Sequence, residues 1–157
     1  MTSFQPRPAP VGRLTATRPP TVLVVDDDDT LRLILTRELR KRGFDVCSTG
    51  SGAEAVEAYC RPSVRVDVVL LDVNMPGVSG PDALDAIRAV DPFVRCCFMT
   101  ADDRPGVRDT LLARGATAVF GKPFASVKGL CETLKQLAGE TAAESDSVAW
   151  GITTWTS

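Results

Sequence analysis

The stretch from Val66 to Gly80, VDVVLLDVNMPGVSG, constrains the fold more than any other part of the chain. Its four successive apolar residues, Val68 to Leu71, show none of the polar alternation of a half-exposed strand. Such a run predicts a strand buried on both faces, as in the centre of a parallel sheet. Asp72 follows the run directly, and Pro76 and Gly77 then end any regular structure. We therefore expect Asp72 at the carboxyl end of a central strand, where open α/β sheets hold their functional groups. An isolated Asp at such a place can also simply cap a loop, so the rest of the chain has to decide.

The rest of the chain alternates between short apolar runs and amphipathic segments. Besides the strand at 66–71, four apolar runs predict strands at residues 21–25, 44–48, 94–99 and 116–120. Five strands that alternate with five helices predict an α/β fold, in which helices cover both faces of a doubly wound parallel sheet. The helices predicted after the first are one at 51–60, one that begins at Pro81, one that begins between Asp102 and Pro105, and one at 126–138.

The helical periodicity also predicts which side chains face the sheet. In each of the first three helices, apolar residues recur at helical spacing and define an inward stripe. The predicted inward residues are Leu31, Ile34, Leu35 and Leu39 in the first helix, Ala53, Val56 and Cys60 in the second, and Leu84, Ile87 and Val90 in the third.

Composition excludes several classes of function. The chain has 157 residues and a net charge of −2, so we expect one domain with appendages and no direct binding to nucleic acid. No apolar run approaches the roughly 20 residues that cross a bilayer, so we expect no membrane insertion. Histidine is absent, which excludes Ser-His and Cys-His catalytic sites, histidine-ligated metals and a histidine phosphoacceptor within this chain. The five cysteines fit no metal-site spacing, and we interpret them as small buried hydrophobes in a reducing cytoplasm.

Two terminal segments differ in composition from the alternating region. Residues 1–20 are rich in proline and arginine and lack acidic residues, so we expect a disordered leader, with a weakly basic docking arm as the alternative. After residue 138 the chain has no Lys or Arg and shows no helical pattern, so residues 139–157, which include Trp150 and Trp155, are expected to form a flexible acidic tail. The domain itself is therefore predicted at 21–138.

Polar side chains follow four of the five predicted strands. Asp26 and Asp27 follow the first strand, Asp72 the third, Thr100 the fourth and Lys122 the fifth. Because the carboxyl ends of parallel strands meet at one edge of the sheet, we expect these side chains to share one pocket. Three carboxylates suit a hard divalent cation, Mg²⁺ in particular, and a nearby lysine can bind a phosphoryl oxygen.

Four consecutive acids, Asp26 to Asp29, follow the first strand and would repel one another without a nearby cation. Asp28 or Asp29 can cap the next helix, whose positive end favours carboxylates. Capping does not explain Asp26 and Asp27, which follow directly on the strand.

Four motifs of this chain resemble the signatures of the response regulator receiver domain of two-component signalling. They are VLVVDDDDTLR, LLDVNMPGVSG, FMTAD and FGKPF, and they occur in the family's order and at its separations within residues 21–138. The resemblance implies a flavodoxin-like (βα)5 fold with strand order 2-1-3-4-5. Since the predicted tail has no room for an output domain, we expect a stand-alone receiver in the cytoplasm.

The same resemblance implies partners and a role for each polar residue. The implied phosphoryl donor is a histidine kinase or a His phosphotransfer protein, and the implied output is binding to another, unidentified protein. Such a domain catalyses its own phosphorylation and dephosphorylation without being a conventional turnover enzyme. The implied assignments are Asp72 as phosphoacceptor, Thr100 as switch hydroxyl, Lys122 as the phosphate-pairing lysine with a cis bond to Pro123, and Asp27, Asp72 and the main-chain carbonyl of Asn74 as Mg²⁺ ligands, with Asp26 acting through water.

The resemblance also implies an output surface, and the chain departs from the family near it. The implied surface lies along the helix after Asp103, the fifth strand and the last helix, and a homodimer through the last helices is possible. Many receivers carry an aromatic residue three positions before the lysine, where this chain has Val119, with Phe120 on the opposite face. We therefore expect little aromatic rearrangement there on activation. Asp102 lies at a position that tunes hydrolysis in the family; here it could orient water or cap a helix.

Three other functions fit parts of the pattern. A degenerate receiver would bind its partner without phosphorylation, but the complete set of acids, hydroxyl and lysine argues against it. An aspartyl phosphatase usually carries a second Asp two positions after the nucleophile, where this chain has Asn74. A flavin-binding electron carrier of the same fold would need a phosphate-binding loop after the first strand, where this chain has acids.

Overall fold

The computed structural model describes residues 18–149, with side chains as far as residue 139. Most of the predicted leader, residues 1–17, and residues 150–157 with both tryptophans lie outside the described residues. The described strands form one parallel sheet in the order β2-β1-β3-β4-β5, which confirms the predicted fold and strand order. The strands are β1 Thr21–Val25, β2 Asp45–Thr49, β3 Val68–Asp72, β4 Cys96–Thr100 and β5 Ala118–Gly121, and the helices are α1 Asp29–Lys41, α2 Gly52–Cys60, α3 Gly80–Val90, α4 Val107–Ala113 and α5 Val127–Ala149.

β3 lies at the centre of the sheet and is paired with β1 on one side and β4 on the other. All five of its residues are buried, as the unbroken apolar run predicts. Successive residues of the neighbouring strand β1 point to opposite faces, so that Val22 and Val24 pack on one side and Leu23 and Val25 on the other. The sheet is therefore covered on both faces, with α1 and α5 on one and α2, α3 and α4 on the other.

In α1 and α3, two predicted inward residues are exposed instead. Ile34 in α1 is 50% exposed and Val90 in α3 is 64% exposed. In α1 the buried stripe runs through Leu35 and Leu39, four residues apart, and Ile34 lies about 100° around the helix from this stripe. Val90 is the last residue of its helix, where no neighbouring element covers it.

The inward face of α2 differs from the prediction. The small residues Gly52, Ala55 and Ala58 are buried, whereas Ala53 and Cys60 are exposed and Val56 is only partly buried. Small residues allow α2 to approach α3 and the loop before it closely, since a Cβ on Gly52 would lie 2.6 Å from the Val78 carbonyl oxygen. The five cysteines are free; Cys96, Cys97 and Cys131 are buried as predicted, Cys47 is partly buried and Cys60 is exposed.

Most strand boundaries lie within two residues of the prediction, and the larger differences are at α4, at the end of α5 and at the predicted leader. α4 begins at Val107, after the left-handed Gly106, and not near Asp102. α5 continues past the predicted end at residue 138 to Ala149, through a segment whose alanines and glutamates favour a helix. At the other end, Arg18 lies 2.7 Å from Asp67, so the last residues of the predicted leader contact the domain. None of the helices between residues 18 and 149 is long and apolar enough to cross a membrane.

Gly80 provides a test of how closely α3 approaches the strand that ends in Asp72. A Cβ on Gly80 would collide with the Asp72 carbonyl oxygen and would lie 2.9 Å from the Val73 Cα, and these backbone atoms cannot move without moving β3. We expect Gly80→Ala to lower the free energy of unfolding by roughly 1–3 kcal/mol in urea denaturation. Gly129→Ala in α5, whose Cβ would meet only the Ser126 side chain, at 3.5 Å from Oγ and 3.6 Å from Cβ, is the matched control and should not destabilise the protein. Equal midpoints for the two variants would contradict this description of the packing.

Candidate functional site

Three carboxylates converge at the carboxyl edge of the sheet. Val25 of β1 is in register with Leu71 of β3, so the residues that follow them, Asp26 and Asp72, stand side by side. One carboxylate oxygen from each of Asp26, Asp27 and Asp72 lies within 4.8 Å of the other two. Asp26 and Asp72 are buried, at 0% and 5% exposure, and Asp27 is exposed at the rim. The three acids that the sequence places at two strand ends therefore share one pocket.

Lys122 joins the two buried acids. Its Nζ lies 2.7 Å from Asp26 Oδ2 and 3.1 Å from Asp72 Oδ1. The Lys122 main-chain N–H donates to the Thr100 carbonyl at 2.8 Å, which holds the end of β5 beside the end of β4. The Lys122-Pro123 bond is cis, as the sequence resemblance implies. One ammonium thus bridges residues that are 96 and 50 positions away along the chain.

Burial and hydrogen bonds shift the pKa values of Asp72 and Lys122. Burial raises the pKa of Asp72, and the nearby Asp26 charge adds to the rise, while the hydrogen bond from Lys122 opposes it without cancelling it. For Lys122, burial alone would lower the pKa, but the hydrogen bonds to Asp26 and Asp72 together raise it. Both shifts follow from one arrangement, because the Lys122 ammonium has two carboxylate partners whereas Asp72 shares that ammonium with Asp26.

The four consecutive acids have four different environments. Asp26 accepts hydrogen bonds from the Asp28 N–H at 2.9 Å and from Lys122, so both of its oxygens are used. Asp28 caps α1 by accepting from the N–H groups of Thr30 and Leu31, as capping predicts. Asp29 pairs with Arg32 at 2.6 Å. Within residues 18–139, no hydrogen bond or ion pair holds the Asp27 carboxylate, which leaves it available to a ligand.

Arg32 is a residue of this region that the sequence pattern did not assign. Its Nη1 donates to the Asp26 carbonyl at 2.7 Å, and its Nη2 contacts Asp29. The pair Asp29 and Arg32 has the i, i+3 spacing of helix ion pairs, and this was the only available signal. The bond to Asp26 depends on the turn between β1 and α1, which the spacing does not reveal.

Thr100 ends β4, the strand between those that lead to Asp72 and Lys122. It is 5% exposed, and its Oγ1 accepts a hydrogen bond from the Asp102 N–H at 3.0 Å. The Asp102 carboxylate in turn accepts from Arg104 Nε at 2.8 Å and from the Arg104 main-chain N–H at 3.1 Å, and these hydrogen bonds from Arg104 lower the pKa of Asp102 to about 2. Because α4 begins only at Val107, Asp102 does not cap a helix.

The donor set of the pocket fits a small divalent cation. Mg²⁺ binds one or two carboxylates directly, about 2.1 Å from the ion, and keeps several waters, and the three oxygens within 4.8 Å of one another suit two direct ligands and a third that acts through water. All three donors are carboxylate oxygens, which Mg²⁺ prefers. Asn74, the remaining predicted ligand, lies two residues beyond Asp72, and its main-chain N–H acts to lower the pKa of the Asp72 carboxyl, against the rise that burial causes.

The raised pKa of Asp72 predicts how pH affects stability. A carboxyl group whose pKa is higher in the folded state binds its proton more tightly there. Its contribution to stability is therefore complete below the pKa of the unfolded state and is lost as the pH rises through the pKa of the folded state. In metal-free buffer we therefore expect Asp72→Asn, which removes the buried charge, to be more stable than the natural protein at pH 7. The difference should shrink as the pH falls towards the ordinary Asp value of about 4. Urea unfolding in EDTA at several pH values measures it, and a less stable variant at pH 7 would contradict the assignment.

Comparison with known proteins identifies the family. The response regulator receiver domain family matches residues 22–135. Transcriptional regulatory protein PrrA of Mycobacterium tuberculosis is 36% identical over 133 residues, which cover 83% of this chain and 56% of PrrA. Sporulation initiation phosphotransferase F of Bacillus subtilis is 30% identical over 103 residues, which cover 66% of this chain and 82% of that protein. The chain thus spans about half the length of PrrA.

Solved structures agree with the sequence relatives. The chemotaxis protein CheY4 of Vibrio cholerae superposes with a TM-score of 0.68 at 30% identity, over 76% of this chain and 98% of CheY4. The matched region contains the sheet, its carboxyl edge and the helices that cover it. The chain belongs to the response regulator receiver domain family of two-component signalling.

Proposed function

We propose that this domain accepts a phosphoryl group on Asp72, with Mg²⁺ bound beside it, and then signals by binding another protein. The phosphoryl donor is a histidine kinase or a His phosphotransfer protein. The observation that carries the proposal is the position of the Lys122 ammonium, within 3.1 Å of Asp72 and 2.7 Å of Asp26 in a pocket that also contains Asp27. Packing alone does not require two buried acids, an exposed third acid and one amine to converge at three strand ends.

The proposed reaction is an in-line displacement at phosphorus. An oxygen of Asp72 forms the new P–O bond while the P–N bond of the donor phosphohistidine breaks, and the leaving imidazole retains or takes up the proton. Lys122, already beside that oxygen, compensates the charge that develops on the phosphoryl group. The product is an acyl phosphate, which is labile enough to give a signal of limited duration.

Other groups complete the pocket. Bound Mg²⁺ supplies further charge compensation at the phosphoryl oxygens, and Asp27, Asp72 and the Asn74 carbonyl are the proposed ligands, with Asp26 acting through water. The Thr100 oxygen accepts from Asp102, and within residues 18–139 its hydroxyl donates to no acceptor, so that hydroxyl can donate to a phosphoryl oxygen. Donation would move Thr100 and the loop that begins at Asp102, which leads to α4.

A phosphorylation-independent receiver is the second candidate and is less well supported. A receiver that binds without phosphorylation has no use for an unpaired, exposed carboxylate beside two buried acids. Asp27 is such a carboxylate, since no partner within residues 18–139 holds it. The partner, the cytoplasmic location and a homodimer remain predictions. PrrA is a transcriptional regulatory protein, but the shared region is only 56% of its length, so its activity does not transfer to this chain.

Replacement of the proposed phosphoacceptor tests the reaction. We expect Asp72→Asn to abolish phosphate uptake from acetyl phosphate in the presence of Mg²⁺, because the amide has no nucleophilic oxyanion. The measurement is the mass of the intact protein after incubation. Asp45→Asn, at the amino-terminal end of β2 and away from the carboxyl edge of the sheet, is the matched control that should still gain one phosphoryl group. A variant at position 72 that is labelled as fully as the control would refute the assignment.

Mg²⁺ binding can be measured separately from phosphorylation. At a free Mg²⁺ concentration ten times the Kd, binding should stabilise the natural protein by about 1.4 kcal/mol. We expect Asp27→Ala to lose most of this gain while its metal-free stability stays within about 0.5 kcal/mol, because the side chain is exposed. Urea unfolding with Mg²⁺ or EDTA checks both values. The proposed ligand set is wrong if the variant gains as much from Mg²⁺ as Asp45→Ala does.

A further inference from the structure

We propose that Arg32 is a positioning residue of the cation pocket, which holds the Asp26–Asp29 segment in the conformation that directs Asp27 towards Asp72. This inference rests on the proposed function, because it concerns the same Mg²⁺ site. It assigns a role to a side chain that contacts neither the phosphoacceptor nor, in the proposed site, the ion.

Arg32 connects the two ends of the four-acid segment. One nitrogen, Nη1, donates to the main-chain carbonyl of Asp26 at 2.7 Å, and the other, Nη2, contacts the Asp29 carboxylate at 2.6 Å. The Arg32 side chain is 22% exposed, whereas that of Asp29 is 89% exposed. The planar guanidinium therefore lies against the domain and links the end of β1 to the first turn of α1.

Asp27 lies between these two anchors and depends on them. The Asp26 carboxylate accepts from the Asp28 N–H at 2.9 Å, and the Asp26 N–H donates to the Thr49 carbonyl at 3.3 Å. These bonds and those of Arg32 determine the path of the backbone on both sides of Asp27. Since nothing within residues 18–139 holds the Asp27 carboxylate itself, the direction in which it leaves the backbone depends on that path.

Gly50 packs against the Arg32 guanidinium and offers a second position at which its contact with the Asp26 carbonyl can be disturbed. A Cβ at this position would lie 2.9 Å from Arg32 Nη1, closer than side-chain carbons approach other atoms. Gly50 is not among the described glycines with positive φ, so its backbone accepts alanine. The methyl group of Gly50→Ala would therefore displace the Arg32 guanidinium first, and the variant would change no charge.

Positioning and simple electrostatics predict different results, and for a variant that keeps the charge electrostatics alone predicts no change in Mg²⁺ binding. Arg32 is a cation near an acidic pocket, so its charge alone weakens Mg²⁺ binding, and a neutral replacement should strengthen binding. If Arg32 instead acts by holding the backbone, a change that keeps the charge but loses the two-pronged contact should weaken binding. Lysine is such a change, because its single ammonium cannot direct two planar donors at two acceptors.

The experiment is a Mg²⁺ titration of the full chain by isothermal calorimetry, with Arg32→Lys and Gly50→Ala as the test variants. Arg37→Lys, on the exposed face of α1, and Gly129→Ala are the matched controls. We expect both test variants to weaken Mg²⁺ binding by roughly tenfold, as loss of outer-shell partners does in metal sites, and the controls to bind as the natural protein does. Urea unfolding in EDTA confirms that each variant is folded; if one is not, the other decides.

The outcomes are distinguishable. Weaker binding in every folded test variant, with unchanged controls, supports the positioning role. Unchanged or tighter binding in either folded test variant overturns it while the proposed Mg²⁺ site stands. Failure of the natural protein to bind Mg²⁺ overturns the proposed function itself, and this inference with it.

Discussion

The ion pair between the Lys122 ammonium and two buried carboxylates is the interaction on which the rest of the site depends. Asp26 and Asp72 are almost completely buried and adjacent, an arrangement that like charges oppose strongly unless a cation lies between them. Lys122 provides that cation from the end of β5, across the whole of β4. One ammonium for two carboxylates leaves residual negative charge, and Asp27 adds more at the rim. This unbalanced charge is what a divalent cation and a phosphoryl group would use.

The four consecutive acids illustrate how one sequence motif separates into several physical roles. Asp26 is buried against Lys122, Asp28 caps α1, Asp29 pairs with Arg32, and Asp27 remains unpaired within residues 18–139. Three of the charges are therefore stabilised by the fold, and one is left for a ligand. The division depends on a turn of a few residues between a buried strand and a helix, and the guanidinium of Arg32 spans that turn.

Much of the fold and of the site could be predicted because both follow from local patterns. The apolar run before Asp72 indicates a buried strand, and alternation of strands with helices indicates a parallel sheet whose carboxyl ends share one edge. Asp26, Asp27, Asp72, Thr100 and Lys122 follow from that rule alone. The inward face of α2 did not follow, because Gly52, Ala55 and Ala58 are buried through close approach to neighbouring elements and not through their hydrophobicity. Periodicity likewise assigned Ile34 to the core, although the stripe of α1 passes beside it.

The sequence by itself determined the fold class, the strand order through a family resemblance, and the set of polar residues at the carboxyl edge. These depend on periodicity and on the ends of apolar runs, which are local properties of the chain. Only the tertiary structure decided that Lys122 bridges Asp26 and Asp72, that Asp102 is held by Arg104 and does not cap a helix, and that Arg32 contacts the Asp26 carbonyl. Each of these depends on the distance between atoms of side chains and turns, and no spacing along the chain specifies that distance.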